Sequence, residues 1–161
     1  MHISLQEKGF TAIELTAVVV LIGILATVAI PRITALRTDA EQASVATMVS
    51  TLESAMAIHS AQKFVKGQRP TVHNPFNDLT NIPIHYNGVF DRISVRNTPK
   101  GTWSYDAVRN WVVYNPQISI SGGWEHDENR FIVYQVEVIV QYLDTVGMRL
   151  GVNPVHEFSW N

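Results

Sequence analysis

The chain has 161 residues, a formal net charge of −2 and no cysteine. Its pI of about 6.3 shows no basic surplus of the kind that attracts nucleic acid, so no nucleic-acid partner is expected. The apolar share of 46% is inflated by one N-terminal segment, and the remainder is long enough for a single modest core.

Met1–Gly9 is short and polar. From Phe10 to Ile30 there is one formal charge, Glu14. As a helix this run is roughly 30 Å long, enough to cross the core of a bilayer. A carboxylate near one end of a membrane helix costs about 2–3 kcal/mol, which marks Glu14 as a functional position. The nearest cation, Lys8, lies across the Gly9–Phe10 junction, so no local partner for Glu14 is expected. An ordinary secretory signal places its small cleavage residue after the apolar run, whereas here Gly9 precedes it. Basic residues do not decide the orientation, because Lys8 flanks one end and Arg32 and Arg37 the other.

The stretch Lys8-Gly9-Phe10-Thr11-Ala12-Ile13-Glu14-Leu15, followed by the apolar run and Pro31, resembles the class III signal of type IV prepilins and type II secretion pseudopilins. The resemblance implies that a prepilin peptidase cuts after Gly9, that Phe10 becomes the N-methylated amino terminus, and that the apolar helix stays attached. It assigns assembly roles to Glu14, the family's carboxylate, and to Gly23 and Pro31, its helix-weakening positions. It implies an α+β, type IV pilin-like fold, with one long N-terminal helix on a small antiparallel sheet. The expected domains are a leader at 1–9, a helix at 10–66 with a transmembrane and filament-core part at 10–30, and a globular domain at 67–161. The implied partners are the prepilin peptidase, other pilin subunits, the inner membrane and the pilus assembly machinery, in which another protein handles ATP. The implied place is a single pass of the inner membrane with the folded domain in the periplasm, then an extracellular filament. Many major pilins of the family close a C-terminal loop with a disulfide. The lack of cysteine departs from that pattern and points to a minor pilin or a pseudopilin. The leading reading is a minor pilin of a type IV pilus, with a type II secretion pseudopilin or a pilus-tip adhesin as the alternatives.

Beyond Pro31, residues Arg32–Lys66 contain no glycine or proline and are rich in good helix formers, so the helix is expected to continue. Pro31 predicts a kink or a melted stretch near residues 23–31. Gly67 is a natural helix end, with Pro70 beyond it. The whole helix would be roughly 85 Å long. Its second half carries two apolar lines. Val45, Met48, Val49, Leu52, Met56 and His59 share one face at helical spacing, as expected for a stripe that covers the chain's own sheet. Ile33, Leu36, Ala40, Ala43, Ile58, Ala61 and Val65 form a thinner line, assigned to neighbouring subunits.

Gly67–Lys100 reads as loop, punctuated by four prolines and by Asn87-Gly88. Asn74-Pro75-Phe76-Asn77-Asp78-Leu79 and Ile82-Pro83-Ile84-His85-Tyr86-Asn87-Gly88 resemble segments of minor pilins of the mannose-sensitive haemagglutinin type. Those often continue with a Trp-x-Tyr hairpin ending in Tyr-x-Pro, matched here by Trp103-Ser104-Tyr105 and Tyr114-Asn115-Pro116. Thr102–Asp106 and Trp111–Tyr114 read as that hairpin. Phe131–Tyr142 is the strongest strand, with Ile132, Tyr134, Val136, Val138, Val140 and Tyr142 on an apolar face and Gln135, Glu137 and Gln141 on a wet one. Ser121–Arg130 reads as a polar turn, and the tail after Asp144 is hardly constrained.

No catalytic residue is expected, since there is no Gly-x-Ser-x-Gly elbow, no cysteine and no glycine-rich phosphate loop. No cofactor or metal is expected either. His126-Asp127-Glu128-Asn129 lacks the spacing of a calcium loop and reads as a solvated turn. His59, His73, His85, His126 and His156 include no pair at zinc-ligand spacing. Trp124 and Trp160 are the aromatics whose exposure would favour the adhesin reading.

Overall fold

A computed structural model of the chain describes residues 10–141, 145–150 and 154–161, with side chains outside residues 138–150. Gly9 and Tyr142 thus lie outside the described residues. Contacts divide the chain into two units, Met1–Asp39 and Ala40–Asn161.

Helix α1 runs from Ala12 to Val65, with Pro31 inside it. The melted stretch expected near residues 23–31 is not there. Proline removes one backbone bond, and the rest of the ladder persists on both sides. Threonine hydroxyls also bond back to the helix here: Thr27 donates to the Ile24 carbonyl at 2.7 Å and Thr34 to the Ile30 carbonyl at 3.0 Å. Such back-bonding gives each hydroxyl a partner within its own helix. At the other end, Gly67 takes φ +67°. Its N–H donates to the Phe64 carbonyl and that of Gln68 to the Lys63 carbonyl, both at 2.9 Å. This paired closure satisfies two carbonyls that the helix would otherwise leave open.

The second unit holds strands β1 (Tyr86–Phe90), β2 (Thr102–Asp106), β3 (Trp111–Asn115), β4 (Ile120–Gly122), β5 (Trp124–His126), β6 (Asn129–Gln141), β7 (Thr145–Leu150) and β8 (Phe158–Trp160). The main sheet has the order β1-β2-β3-β6-β5, with β7 also on β6, and β4 pairs with β8 separately. All pairings are antiparallel except β1 with β2, which is parallel. The hairpin β2–β3 matches the sequence expectation, and Asp106 closes it. Its Oδ1 accepts the Val108 and Arg109 N–H groups at 3.0 and 2.9 Å, while Oδ2 meets the Arg109 guanidinium at 3.0 Å.

Three expectations are corrected. Asn87-Gly88 is not a turn but lies inside β1, where the register shifts and Gly88 takes φ +116°. Ser121–Arg130 is mostly strand, with only Asp127 and Glu128, at φ 50° and 59°, forming the turn of the β5–β6 hairpin. The second face of β6 is not wet along its first half. Phe131 and Val133 are buried there with Ile93 and Val113, under Phe90, Trp111 and Trp124. The other face of β6 behaves as expected: Ile132, Tyr134 and Val136 join Val45, Leu52 and Met56 of α1 in the larger core, with Phe76, Trp103, Tyr105 and Tyr114. The sheet is therefore covered on both sides.

The stripes on α1 separate as their composition suggests. Val45, Leu52 and Met56 are buried and Met48, Val49 and His59 half-buried, whereas Ile33, Leu36, Ala40, Ala43, Ile58, Ala61 and Val65 are exposed. Burial pushes the hydroxyls of Tyr105 and Tyr134 up to about 12, helped by the charges of Asp106 and Glu53 respectively. Tyr114 moves up further, chiefly through burial and then through its bond to Glu41.

Candidate functional site

The first candidate carboxylate sits at the start of α1. Thr11 donates its N–H and its hydroxyl to Oε2 of Glu14 at 2.8 and 2.7 Å, and its hydroxyl oxygen accepts the Glu14 N–H at 3.3 Å. Glu14 therefore has a local partner, contrary to the sequence expectation. Thr11-x-x-Glu14 is a capping box, in which two otherwise unpaired N–H groups at the helix start are satisfied reciprocally. The positive end of the helix dipole favours the carboxylate there as well. Sequence reasoning sought a cation and overlooked a signature that is legible in four residues. Of the other predicted assembly positions, Phe10 is exposed, Gly23 has open space around its Cα and Pro31 lies within the helix. Around them Leu15, Val19, Leu21, Ile24, Leu25 and Ile30 are all about 60% exposed. By length and composition this helix can cross a membrane.

A second carboxylate, Glu41, joins α1 to the chain after β3. Its Oε1 accepts from the Tyr114 hydroxyl at 2.8 Å and from the Gln117 N–H at 2.6 Å, and its Oε2 accepts from the Ile118 N–H at 3.0 Å. One glutamate thus receives a phenol and two loop amides more than 70 residues away in the chain. Nothing in the local sequence around Glu41 marks it.

The tryptophans are not free. Trp124 is half-buried, stacked on His126 at 4.8 Å and packed edge-on against Trp111 at 5.5 Å. The Arg109 guanidinium lies over both Trp111 and Trp124. Trp160 packs with Phe158 against the larger core. Both residues are half-buried, neither fully exposed nor buried.

A third polar cluster lies where the α1 end meets the connection to β1. Asn74 caps the 3-10 turn Pro75–Asp78 by accepting the Phe76 N–H at 3.1 Å, and it donates to the Tyr86 hydroxyl at 2.7 Å. Phe76 is fully buried and stacks on Tyr86 at 4.0 Å. These anchors hold Asp78 against α1, between His59 and His73. The two histidines stand 14 residues apart in sequence, a spacing that carries no ligand signature; only the fold joins them.

No protein-family model matches the chain, and no solved structure does. Over 58 residues, 36% of its length, the chain is 45% identical to the type IV narrow pilus major component PilA5 of Thermus thermophilus. The match spans half of that relative's length.

Proposed function

We propose that this chain is a structural subunit of a type IV pilus, anchored in the inner membrane as a prepilin and assembled through its apolar helix. The observation that carries the reading is the first half of α1: a continuous apolar helix, long enough to cross a membrane, with one charge, Glu14, at its start. A helix of this kind needs lipid or other apolar helices around it. The likeness to a pilus major component supports the same reading. Within it, the prepilin peptidase cuts between Gly9 and Phe10 and Phe10 is methylated, while Gly23 and Pro31 allow the helix to adapt during packing. The rest of the second unit is read as periplasmic before assembly and as the filament's outer surface afterwards. The Trp103–Pro116 pattern favours a minor subunit, and the absence of cysteine suits a minor pilin or a pseudopilin; a pseudopilin of type II secretion and a pilus-tip adhesin are the alternatives.

The capping box sharpens the test of Glu14. Glu14→Gln keeps an oxygen for the Thr11 donors but removes the charge, whereas Glu14→Val removes both. If the charge guides docking onto a neighbour's amino terminus, both variants insert and are cleaved after Gly9, yet both are depleted in sheared filaments. If the residue only caps the helix, Glu14→Gln assembles like the native chain and only Glu14→Val is impaired. Mass spectrometry of the amino terminus and comparison of envelope and filament fractions read both outcomes. Normal incorporation of Glu14→Val would remove the assembly role altogether.

A further inference from the structure

Three side chains with metal-ligand chemistry meet from three parts of the second unit. Nδ1 of His59 lies 2.8 Å from Oδ1 of Asp78, and Nε2 of His73 lies 2.8 Å from Oδ2. All the ligand atoms fall within 4.8 Å of one another, and the imidazole centroids are 4.7 Å apart. The Asp78 side chain is 5% exposed, and the two histidines are 31% and 24% exposed. The carboxylate therefore sits at the bottom of the cluster, with the imidazoles between it and solvent.

Counting protons shows what the cluster needs. Nδ1 of His73 lies 3.0 Å from the Thr71 carbonyl, which can only accept. Its Nε2 faces a carboxylate oxygen, which also accepts when ionised. A neutral imidazole carries a single N–H, so one of these two contacts is a lone pair aimed at an oxygen. Either a second proton on His73 or a metal ion supplies the positive charge that Nε2 and the carboxylate need. Among the described residues no lysine or arginine pairs with Asp78; its ion-pair partners are the two histidines. A metal ion at this point satisfies both contacts of His73 and the carboxylate together. Nδ1–H stays on the Thr71 carbonyl, the outer contact that ligating histidines usually make, and Nε2 offers its lone pair inward.

We propose that His59, His73 and Asp78 bind a divalent transition-metal ion of the zinc class, with solvent in the fourth position. Two imidazoles and one carboxylate suit zinc, whereas calcium and magnesium take oxygen-rich sets. Tetrahedral zinc holds its ligand atoms about 3.3 Å apart, so the two 2.8 Å contacts need to open by roughly half an ångström, while the wider spacing in the cluster, up to 4.8 Å, needs to close. Bound metal ties the end of α1 to the turn that Asn74 and Phe76 anchor. The inference is independent of the filament reading.

The test uses the full chain without an affinity tag, in detergent, stripped of metal and titrated with zinc. One zinc binds per chain, and saturation at about 100 times Kd raises Tm by about 5–10 °C. H59Q and H73Q each weaken binding at least about tenfold, while H126Q, outside the cluster, leaves it unchanged. Cobalt(II) takes the same site and shows the visible absorption of tetrahedral coordination. Because the variants could fold poorly, the native chain gives a separate readout. In long-range proton–nitrogen spectra with zinc, His73 keeps its proton on Nδ1, and Nε2 moves to the position of a metal-bound nitrogen. The proposal is overturned by the absence of any Tm shift up to about millimolar zinc. Affinity unchanged in both H59Q and H73Q also overturns it, as do two protonated nitrogens on His73 in the presence of zinc, which would make the cluster an ion pair with a proton alone.

Discussion

Glu41 offers the sharpest measurement of what holds α1 to the rest of the second unit. Three donors converge on its carboxylate, at 2.8, 2.6 and 3.0 Å. Bonds to a charged group contribute about 1.5–3 kcal/mol each, but the three cannot simply be added. The Gln117 N–H belongs to an exposed residue, so water can replace the glutamate there at small cost. Tyr114 is 5% exposed, and its hydroxyl has no such substitute. The net loss expected for Glu41→Ala is therefore about 2–4 kcal/mol, dominated by the stranded phenol and by the Ile118 amide. Tyr114→Phe removes the phenol together with its need, and should cost only about 1 kcal/mol. In the double variant the stranding penalty disappears, so the two losses should fall short of additive by about 1 kcal/mol or more. The assay is urea unfolding of a chain lacking residues 1–30, in which Pro31 falls at a natural helix start. A Glu41→Ala midpoint indistinguishable from the native one, or strict additivity with Tyr114→Phe, would refute the clamp.

The same truncated chain tests the stripes. Leu52, fully buried, should lose about 2–5 kcal/mol as Leu52→Ala and unfold as Leu52→Asp, while Ala43→Asp on the exposed line should stay within about 0.5 kcal/mol of native; equal losses at both sites would dissolve the distinction. Alkaline stability follows from the tyrosines. Their folded values lie above the ordinary 10.0, so the stability they lend is complete below that pH and is lost as pH rises towards about 12. Phenolate absorbance of these residues should therefore appear together with loss of circular dichroism, and full ionisation near pH 10 with an intact fold would contradict the burial.

What the sequence revealed and what it concealed divide along a physical line. Local patterns with one dominant cause were legible: the apolar run, the Gly67 helix end, the stripe from Val45 to Met56, and the β2–β3 hairpin. Each depends on residues within a turn or two of one another. β1 was hidden because its Asn-Gly pair carries a strong turn preference, which the parallel partner β2 overrides by absorbing Gly88 in a register shift. The second buried face of β6 was hidden because alternation was read from Gln135 onward. Phe131 and Val133 fall on the same face as Gln135 but lie deeper, where Ile93 from a distant loop covers them.

The polar groups were harder still, and for a reason that bears on function. Glu14 was legible as a charge in an apolar run, yet the capping box that shows how it is tolerated was missed. That box also changes what its charge must explain. A carboxylate already held by Thr11 at a helix start costs less in hydrocarbon than a bare one, so its cost alone is a weaker argument for an assembly role. The charge itself, rather than the capping, is what a docking role requires, and only Glu14→Gln separates the two. Glu41, His59, His73 and Asp78 share a different obscurity: apart from the His73–Asp78 pair, five residues apart, every partner is remote in sequence, or is a backbone group that any residue could supply. In a chain of this design the helix gives periodic signals for what it buries. The side chains that fasten it to the sheet and to the connection before β1 are single positions, and they gain meaning only when the fold brings their partners to them.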